Sequence, residues 1–285
     1  VSSASNYRGR IAPTPTGFLH SGHALTFHAA WSRARQAAGT LIYRDEDLDP
    51  QRCREEFSRA APQDLRWLGL DWQEGPDVGG PHQPYAQSRR MPRYLAAWAT
   101  LRDAGLIYPC TISRRQLRRI TTPTAPDDGE PLFPPDLRAP LNAGRDAPEP
   151  GPVNWRFRVP DGRALAFDDA LMGPRQFVAA RDFGDFLVWR RDGIPSYELA
   201  VVVDDIAMGI TEVVRGRDLL KSTARQLLLY EALDAGPPAW AHCPLVKDQT
   251  GRRLAKSFDS LALRTLRERG LSPTQILEQA RMALG

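Results

Sequence analysis

Two short stretches at opposite ends of the chain carry residues suited to holding a polyphosphate. Near the start runs Arg10-Ile11-Ala12-Pro13-Thr14-Pro15-Thr16-Gly17-Phe18-Leu19-His20-Ser21-Gly22-His23. Pro13 and Pro15 stiffen the turn, and Gly17 and Gly22 let the backbone approach a ligand closely. A helix beginning near His20 would aim its unpaired N–H groups and positive dipole end at that turn, which suits a phosphate. His20 and His23, three apart, would share one face of it. Near the end runs Gly251-Arg252-Arg253-Leu254-Ala255-Lys256-Ser257. Its cations could meet the phosphates of such a ligand and the charge that builds on them during reaction. Taken alone, the first stretch also fits an ordinary strand-to-helix turn with two surface histidines, and the second a solvated basic turn. Two acidic stretches stand between them: Arg44-Asp45-Glu46-Asp47-Leu48-Asp49, and Tyr197-Glu198-Leu199-Ala200-Val201-Val202-Val203-Asp204-Asp205. Carboxylates there could serve a ligand at strand ends, or simply cap helices.

The elements that must position these residues are legible in outline. Arg10–Ala12 reads as a first strand, residues 23–38 as a helix closed by Gly39 as C-cap, and Thr40–Arg44 as a second strand. Strand, helix, strand suggests a βαβ unit. Residues 49–68 and 89–104 read as helices, and 153–167 as strand-like. The proline-rich stretch 121–152 reads as loop rather than core. The α/β pattern resumes at Asp185–Trp189, continues through 197–205, which reads as a buried strand or the start of a helix, and then through the strand Thr211–Arg215 and the helix 222–234. Two helices close the chain, split by Gly270-Leu271-Ser272-Pro273, where Ser272 caps and Pro273 enters the first turn. The expected fold class is α/β: a Rossmann-type parallel sheet with an inserted α+β subdomain and a short helical tail. Residues 1–103 and 181–247 would form the catalytic domain, 104–180 the insertion, and 248–285 the basic loop and terminal helices.

A chain of 285 residues, 42% hydrophobic and 25% charged, can bury a sizeable core. The net charge of +4 permits a polyanionic partner without requiring one. Cys53, Cys110 and Cys243 are too scattered for a disulfide framework, which suits a reducing cytoplasm. No apolar run reaches membrane-spanning length, and Val1–Asn6 lacks the features of a signal peptide and reads as a short disordered leader. The run Arg114-Arg115-Gln116-Leu117-Arg118-Arg119 could face RNA phosphates or form an exposed helix surface.

These stretches, in this order, resemble the glutamyl-tRNA synthetase family of class I aminoacyl-tRNA synthetases. The first stretch resembles the family's HIGH signature and the last its KMSKS loop. Gly9–Gly17, Arg44–Asp47, Pro195–Asp205, Glu212-Val213-Val214-Arg215-Gly216-Arg217-Asp218-Leu219 and Arg253–Ser257 carry the likeness, which spans about Arg10 to Ser260. The resemblance implies L-glutamate binding by Arg10, Ala12, Thr14, Glu46, Tyr197 and Arg215. It also implies ATP binding by His20, Gly22, His23, Arg253 and Lys256, with His20, His23 and Lys256 catalytic and Mg2+ accompanying ATP. The residue chemistry agrees: a guanidinium grips a carboxylate through its planar fork, and Glu46 can pair with an α-ammonium group. Which carboxylate each arginine takes stays open.

The chain departs from the family pattern at two places. Members often carry zinc on a Cys-x-Cys pair, but Ile112 stands where the second cysteine would follow Cys110. Structural zinc takes four Cys or His ligands, so none is expected, and Cys110 reads as a small, partly buried residue. In the basic loop, Arg253 and Ala255 replace the usual lysine and serine, while Lys256-Ser257 is kept. Only Phe258–Gly285 follows that loop, too short for a separate anticodon-binding domain. That implies the family's truncated branch, which loads activated glutamate onto queuosine in the anticodon loop of tRNA(Asp) and needs no tRNA for activation. The expected enzyme is a cytoplasmic monomer with partners L-glutamate, ATP and queuosine-bearing tRNA(Asp), and no membrane. The alternatives are a relative with another acceptor and a non-catalytic RNA-binding relative.

Overall fold

The computed structural model describes residues 6–120, 131–244 and 262–282. Strand β1 (Arg8–Ile11) is followed by helix α1 (Ser21–Gln36) and strand β2 (Thr40–Tyr43), which pairs parallel with β1. This is the βαβ unit read from the sequence. Helices α2 (Glu55–Trp67) and α3 (Met91–Asp103) follow. Helix α2 starts later than expected because Asp49 folds the chain before it into a turn, its backbone carbonyl accepting from the N–H groups of Arg52 and Cys53. Strand β3 (Ile107–Cys110) and the short helix α4 (Arg114–Ile120) lead to residues 121–130, which lie outside the described residues.

After them come β4 (Asn154–Phe157), β5 (Ala164–Asp169), β6 (Gly173–Val178) and β7 (Phe186–Trp189). Helix α5 (Tyr197–Ala207), β8 (Glu212–Gly216), α6 (Leu220–Ala232) and β9 (Ala239–Cys243) follow. The described chain closes with α7 (Leu263–Glu268) and α8 (Pro273–Met282). Ser272 caps α8 as expected, its hydroxyl accepting from Gln275 N–H at 3.3 Å.

Strands β8, β9 and β5 run parallel, with β6 added antiparallel at the β5 edge. Strand β1 lies beside β8, joined through Thr211 N–H to the Arg8 carbonyl at 2.9 Å. Strands β3, β4 and β7 form a separate antiparallel sheet. Strand β7, read from sequence as the resumption of the parallel pattern, therefore belongs to the antiparallel sheet, with Trp189 opposite Trp155 and both indoles buried. The stretch 197–205 is a helix. Ser196 caps it by accepting from Leu199 N–H at 3.3 Å, and residues 198–205 are buried. Burial on all sides overrides the strand preference of Val201-Val202-Val203.

The C-cap of α1 differs from expectation. Ala37 caps it, Ala38 takes the left-handed conformation at φ 47°, and Gly39 serves a different purpose. A Cβ on Gly39 would sit 2.6 Å from the Tyr7 carbonyl oxygen, so only glycine lets β2 enter beside Tyr7. Cys110 is fully rather than partly buried, packed with Tyr108, Leu117 and Phe133. Among the described residues no helix is long and apolar enough to cross a membrane.

Candidate active site

A cavity of about 570 Å³ opens where the ends of β1, β2 and β8 meet the start of α5. Such a crevice at the carboxyl ends of parallel strands is where open α/β sheets bind ligands. Arg10, Ala12, Thr14, Glu46, Tyr197 and Arg215 line one part of it. His20, Gly22 and His23 line another, with Gly17 between them in the same turn. Every sequence-predicted site residue within the described residues is thus brought to one cavity. Arg253 and Lys256 lie outside the described residues. The chain leaves the described region at Pro244, on the cavity wall, and re-enters at Ala262, which forms a β-bridge with His20.

His20 is not the first helical residue but the N-cap, in extended conformation. Its Nδ1 accepts from Gly22 N–H at 3.2 Å, while His23 Nδ1 accepts from His20 N–H at 3.3 Å. The two rings lie 3.8 Å apart between centroids. A Cβ on Gly22 would come within 3.2 Å of the His20 ring, so this glycine makes room for the stack. An imidazole nitrogen that accepts carries no hydrogen, so both neutral rings hold their proton on Nε2. Two N–H donors without fixed charge thus flank the turn, a fitting pair for phosphate oxygens.

Behind Arg10 and Glu46 of the cavity wall lies a buried ion network. Arg44 is fully buried and pairs with Asp205 at 2.6 Å, with Glu46 at 3.1 Å and with Asp204 at 3.9 Å. Burial alone would lower its guanidinium pKa, but the three carboxylates hold it well above the ordinary value. Asp204 in turn accepts from Arg90 at 2.6 Å and from Gln87 and Tyr94 at 2.8 Å each. Burial raises the Glu46 carboxyl pKa, against the pull of Arg44 and Arg10, and Thr14 Oγ1 donates to it at 3.4 Å. Tyr197 is 39% exposed as a residue, yet its hydroxyl end is desolvated and its pKa is pushed up to about 12, so the phenol stays protonated at neutral pH.

Arg10 and Arg215 are each 5% exposed. Arg10 donates from Nη1 to the Val214 carbonyl at 2.9 Å and lies 3.7 Å from Asp205, while its Nε has no hydrogen-bond partner. Arg215 donates from Nε to His242 Nε2 at 3.1 Å and from Nη2 to Thr223 Oγ1 at 2.7 Å, while its Nη1 has none. A buried guanidinium nitrogen without an acceptor is costly, and both of these arginines line the cavity, where a guanidinium suits an anionic ligand.

Asp169, Thr223 and His242 escape the sequence reading, because no local motif joins them. They meet Arg215 only when β5, β8, β9 and α6 pack together. A lone histidine in a short apolar strand such as Ala239–Cys243 carries no signal.

Comparison with known proteins places the chain in a family. Residues 6–283 match the family described as tRNA synthetases class I (E and Q), catalytic domain. A glutamyl-Q tRNA(Asp) synthetase of Nitratidesulfovibrio vulgaris is 48% identical over 280 residues, covering 98% of this chain and 86% of that protein. A glutamate–tRNA ligase 2 of Acidithiobacillus ferrooxidans is 41% identical over 268 residues, covering 93% of this chain and 55% of that one. The crystal structure of a glutamate tRNA ligase from Elizabethkingia meningosepticum, in complex with its amino acid, superposes with a TM-score of 0.76 at 28% identity, covering 93% of this chain and 53% of that chain. The chain thus spans about half the length of the glutamate–tRNA ligases it matches and most of the length of the glutamyl-Q relative. It belongs to the class I tRNA synthetases of the glutamate and glutamine type, through their catalytic domain, and is a ligase of that family.

Proposed function

We propose that the cavity binds L-glutamate beside ATP, forms glutamyl-adenylate, and passes the glutamyl group to queuosine in the anticodon loop of tRNA(Asp). The observation that carries the first step is the pair of largely buried guanidinium groups, Arg10 and Arg215, lining one cavity with the Glu46 carboxylate. Two cations and one anion match a zwitterion bearing a second carboxylate. The α-carboxylate must remain nucleophilic to attack the ATP α-phosphorus, and a guanidinium clamped on it would quench that attack. Arg10 and Arg215 therefore take the side-chain carboxylate, and Glu46 the α-ammonium, with Thr14 and Tyr197 supplying hydroxyls. Ala12 offers only backbone and a small surface.

His20 and His23 hold the phosphates through Nε2–H, beside the backbone of Gly22 at the start of α1. Lys256 and Arg253 are assigned to the charge that builds on the phosphates at the transition state. Magnesium enters with ATP, held mainly by phosphate oxygens and water. No structural zinc is part of this reading, since Cys110 is buried among apolar neighbours. In the second step a queuosine hydroxyl attacks the acyl carbon and AMP departs, with positioning supplying most of the rate.

The acceptor assignment is supported by the 48% identity to the glutamyl-Q relative, against 41% to the glutamate–tRNA ligase 2. On α4, Leu117 is buried while Arg115, Arg118 and Arg119 are exposed, a basic face open to RNA phosphates. The catalytic core of residues 1–103 and 181–247, the insertion 104–180 and the closing segment 248–285 belong to the same reading, as do a monomeric state and a cytoplasmic setting, which fits three free thiols.

The test is glutamate-dependent ATP–pyrophosphate exchange without tRNA. Exchange with wild type, lost in Lys256→Ala, is the expected result. Exchange that starts only when tRNA(Glu) is added would overturn tRNA-independent activation, and silence under both conditions would overturn adenylate formation itself.

A further inference from the structure

Arg215 is held on three sides. Its Nε donates to His242 Nε2 at 3.1 Å, and its Nη2 donates to Thr223 Oγ1 at 2.7 Å and to the Leu219 carbonyl at 3.4 Å. Its guanidinium lies over the Trp240 ring at 4.8 Å. Only Nη1 remains without an acceptor. Behind it, His242 Nδ1 lies 2.5 Å from Asp169 Oδ2. Asp169, Arg215 and His242 are all at least nine-tenths buried, and His242 and Thr223 are fully so.

The proton arrangement follows from valence. Arginine has only donors, so the His242 Nε2 that meets Arg215 Nε–H must be bare. The imidazole hydrogen then sits on Nδ1 and donates to Asp169. Asp169 Oδ1 is tied down separately by the N–H groups of Leu171 at 3.0 Å, Met172 at 2.8 Å and His242 at 3.1 Å. A carboxylate fixed by backbone donors thus sets the tautomer of a histidine, which sets the orientation of an arginine.

We propose that Asp169 and His242 are positioning residues that, with Thr223, lock the Arg215 guanidinium in one orientation on the cavity wall, the orientation in which it meets the substrate carboxylate. The inference rests on the reading that Arg215 binds glutamate. It differs from an ordinary buried ion pair in one respect: the neutral imidazole passes the negative character of Asp169 to Arg215 without placing a carboxylate in the ligand's path. A carboxylate directly on Arg215 would compete with glutamate for the same cation.

The near-isosteric Asp169→Asn is the decisive variant. Its amide oxygen must take the place of Oδ1, because the alternative turns NH2 against the Leu171 and Met172 N–H groups. The NH2 then faces His242 Nδ1 and drives the imidazole proton to Nε2, where it opposes Arg215 Nε–H. His242→Leu removes the acceptor outright, whereas His242→Gln can return an oxygen to the Nε2 position.

Two readouts test this. The first is 15N NMR of the wild-type imidazole, which needs no activity: protonated Nδ1 and bare Nε2 are expected for His242, and the reverse overturns the proposal. The second is exchange kinetics with glutamate and ATP varied separately. Asp169→Asn and His242→Leu should raise the glutamate KM by about tenfold to a hundredfold, the effect of losing a hydrogen bond to a charged group, with the ATP KM held within about twofold. His242→Gln should recover most of the glutamate KM. A glutamate KM unmoved in Asp169→Asn and His242→Leu, while Arg215→Leu raises it, would sink the lock and spare the binding reading. A glutamate KM unmoved in Arg215→Leu would remove the binding reading and the lock together.

Discussion

His242 has no exposed surface, and burial together with the neighbouring Arg215 charge pushes its pKa down to about 4. The unfolded chain holds a histidine near 6.5, so between those values the unfolded state binds a proton that the folded state refuses. The stability contribution of the neutral imidazole is therefore full above pH 6.5 and lost as pH falls toward 4. Converted by linkage, the loss is roughly 3 kcal/mol. Asp45 works in the opposite sense. Burial raises its carboxyl to about 6, so the folded state keeps a proton that the unfolded state has released, which contributes stability at low pH and is lost as pH rises through 6. The two slopes oppose each other between pH 4 and 6 and flatten the wild-type profile. Denaturant unfolding of wild type and His242→Gln side by side isolates the histidine. The advantage of wild type should shrink by roughly 3 kcal/mol from pH 7 to pH 4. A difference between the two proteins that is independent of pH would show that His242 titrates alike in both states.

Among the elements, the passage from α1 into β2 has the tightest steric requirement around the site. It brings Thr40 N–H to the Tyr7 carbonyl at 2.9 Å, starting the pairing that carries Arg10 and Glu46 to the same end of the sheet. A methyl group on Gly39 would meet the Tyr7 carbonyl oxygen at 2.6 Å and the Tyr7 Cβ at 2.7 Å, with backbone that cannot swing aside. Gly39→Ala should destabilise by about 1–3 kcal/mol, as overpacking does. Ala38→Gly, at the residue that bears φ 47°, should stabilise by up to about 1 kcal/mol by relieving the left-handed strain. Thermal melts of the two variants decide it, and the opposite pair of signs would restore Gly39 as the cap. This reversal illustrates what sequence conveys at the element scale. Helix α1, β1 and β2 are legible because their apolar pattern and glycines are local. Which of Ala38 and Gly39 takes the left-handed turn depends on Tyr7, far away in sequence. Strand β7 has a clear strand pattern, but its partner β4 is set by long-range pairing, Trp155 opposite Trp189, which no local pattern reveals. Strand β9, Ala239-Trp240-Ala241-His242-Cys243, has no β-branched residue to mark it. The cavity follows the same logic: Arg10, His20, Glu46, Tyr197 and Arg215 sit in contiguous readable stretches, while Asp169, Thr223 and His242 gain their roles only from the pairing of β5, β9 and β8.

At the scale of the whole molecule, the cavity draws on both ends of the chain. The described C-terminal segment returns to the His20 turn, where Leu263 N–H donates to the Leu19 carbonyl at 2.7 Å and Ala262 pairs with His20. Leu263, Leu266 and Ile276 share a core with Ile11, Ala24 and Ala30 of the β1–α1 unit. The turn proposed to bind phosphate is thus braced by residues far beyond it in sequence, so the proposed activation site depends on the C-terminal segment as well. The acceptor is a separate matter, decided outside the cavity by which hydroxyl reaches it. On the proposed reading that hydroxyl belongs to the cyclopentene ring of queuosine in the anticodon loop. In ordinary charging it belongs to the terminal ribose, at the other extremity of the tRNA. The two sites lie at opposite ends of one molecule, so removing the 3′-terminal adenosine separates them without touching the anticodon. Trimmed, queuosine-bearing tRNA(Asp) should accept labelled glutamate as well as the intact form, while tRNA(Asp) lacking queuosine and intact tRNA(Glu) should accept none. Charging that disappears with the terminal adenosine would place the acceptor on the ribose and align the enzyme with the glutamate–tRNA ligases instead. Adenylate formation would be untouched by that result, since on the proposed reading the Arg10, Glu46 and Arg215 pocket takes glutamate without RNA.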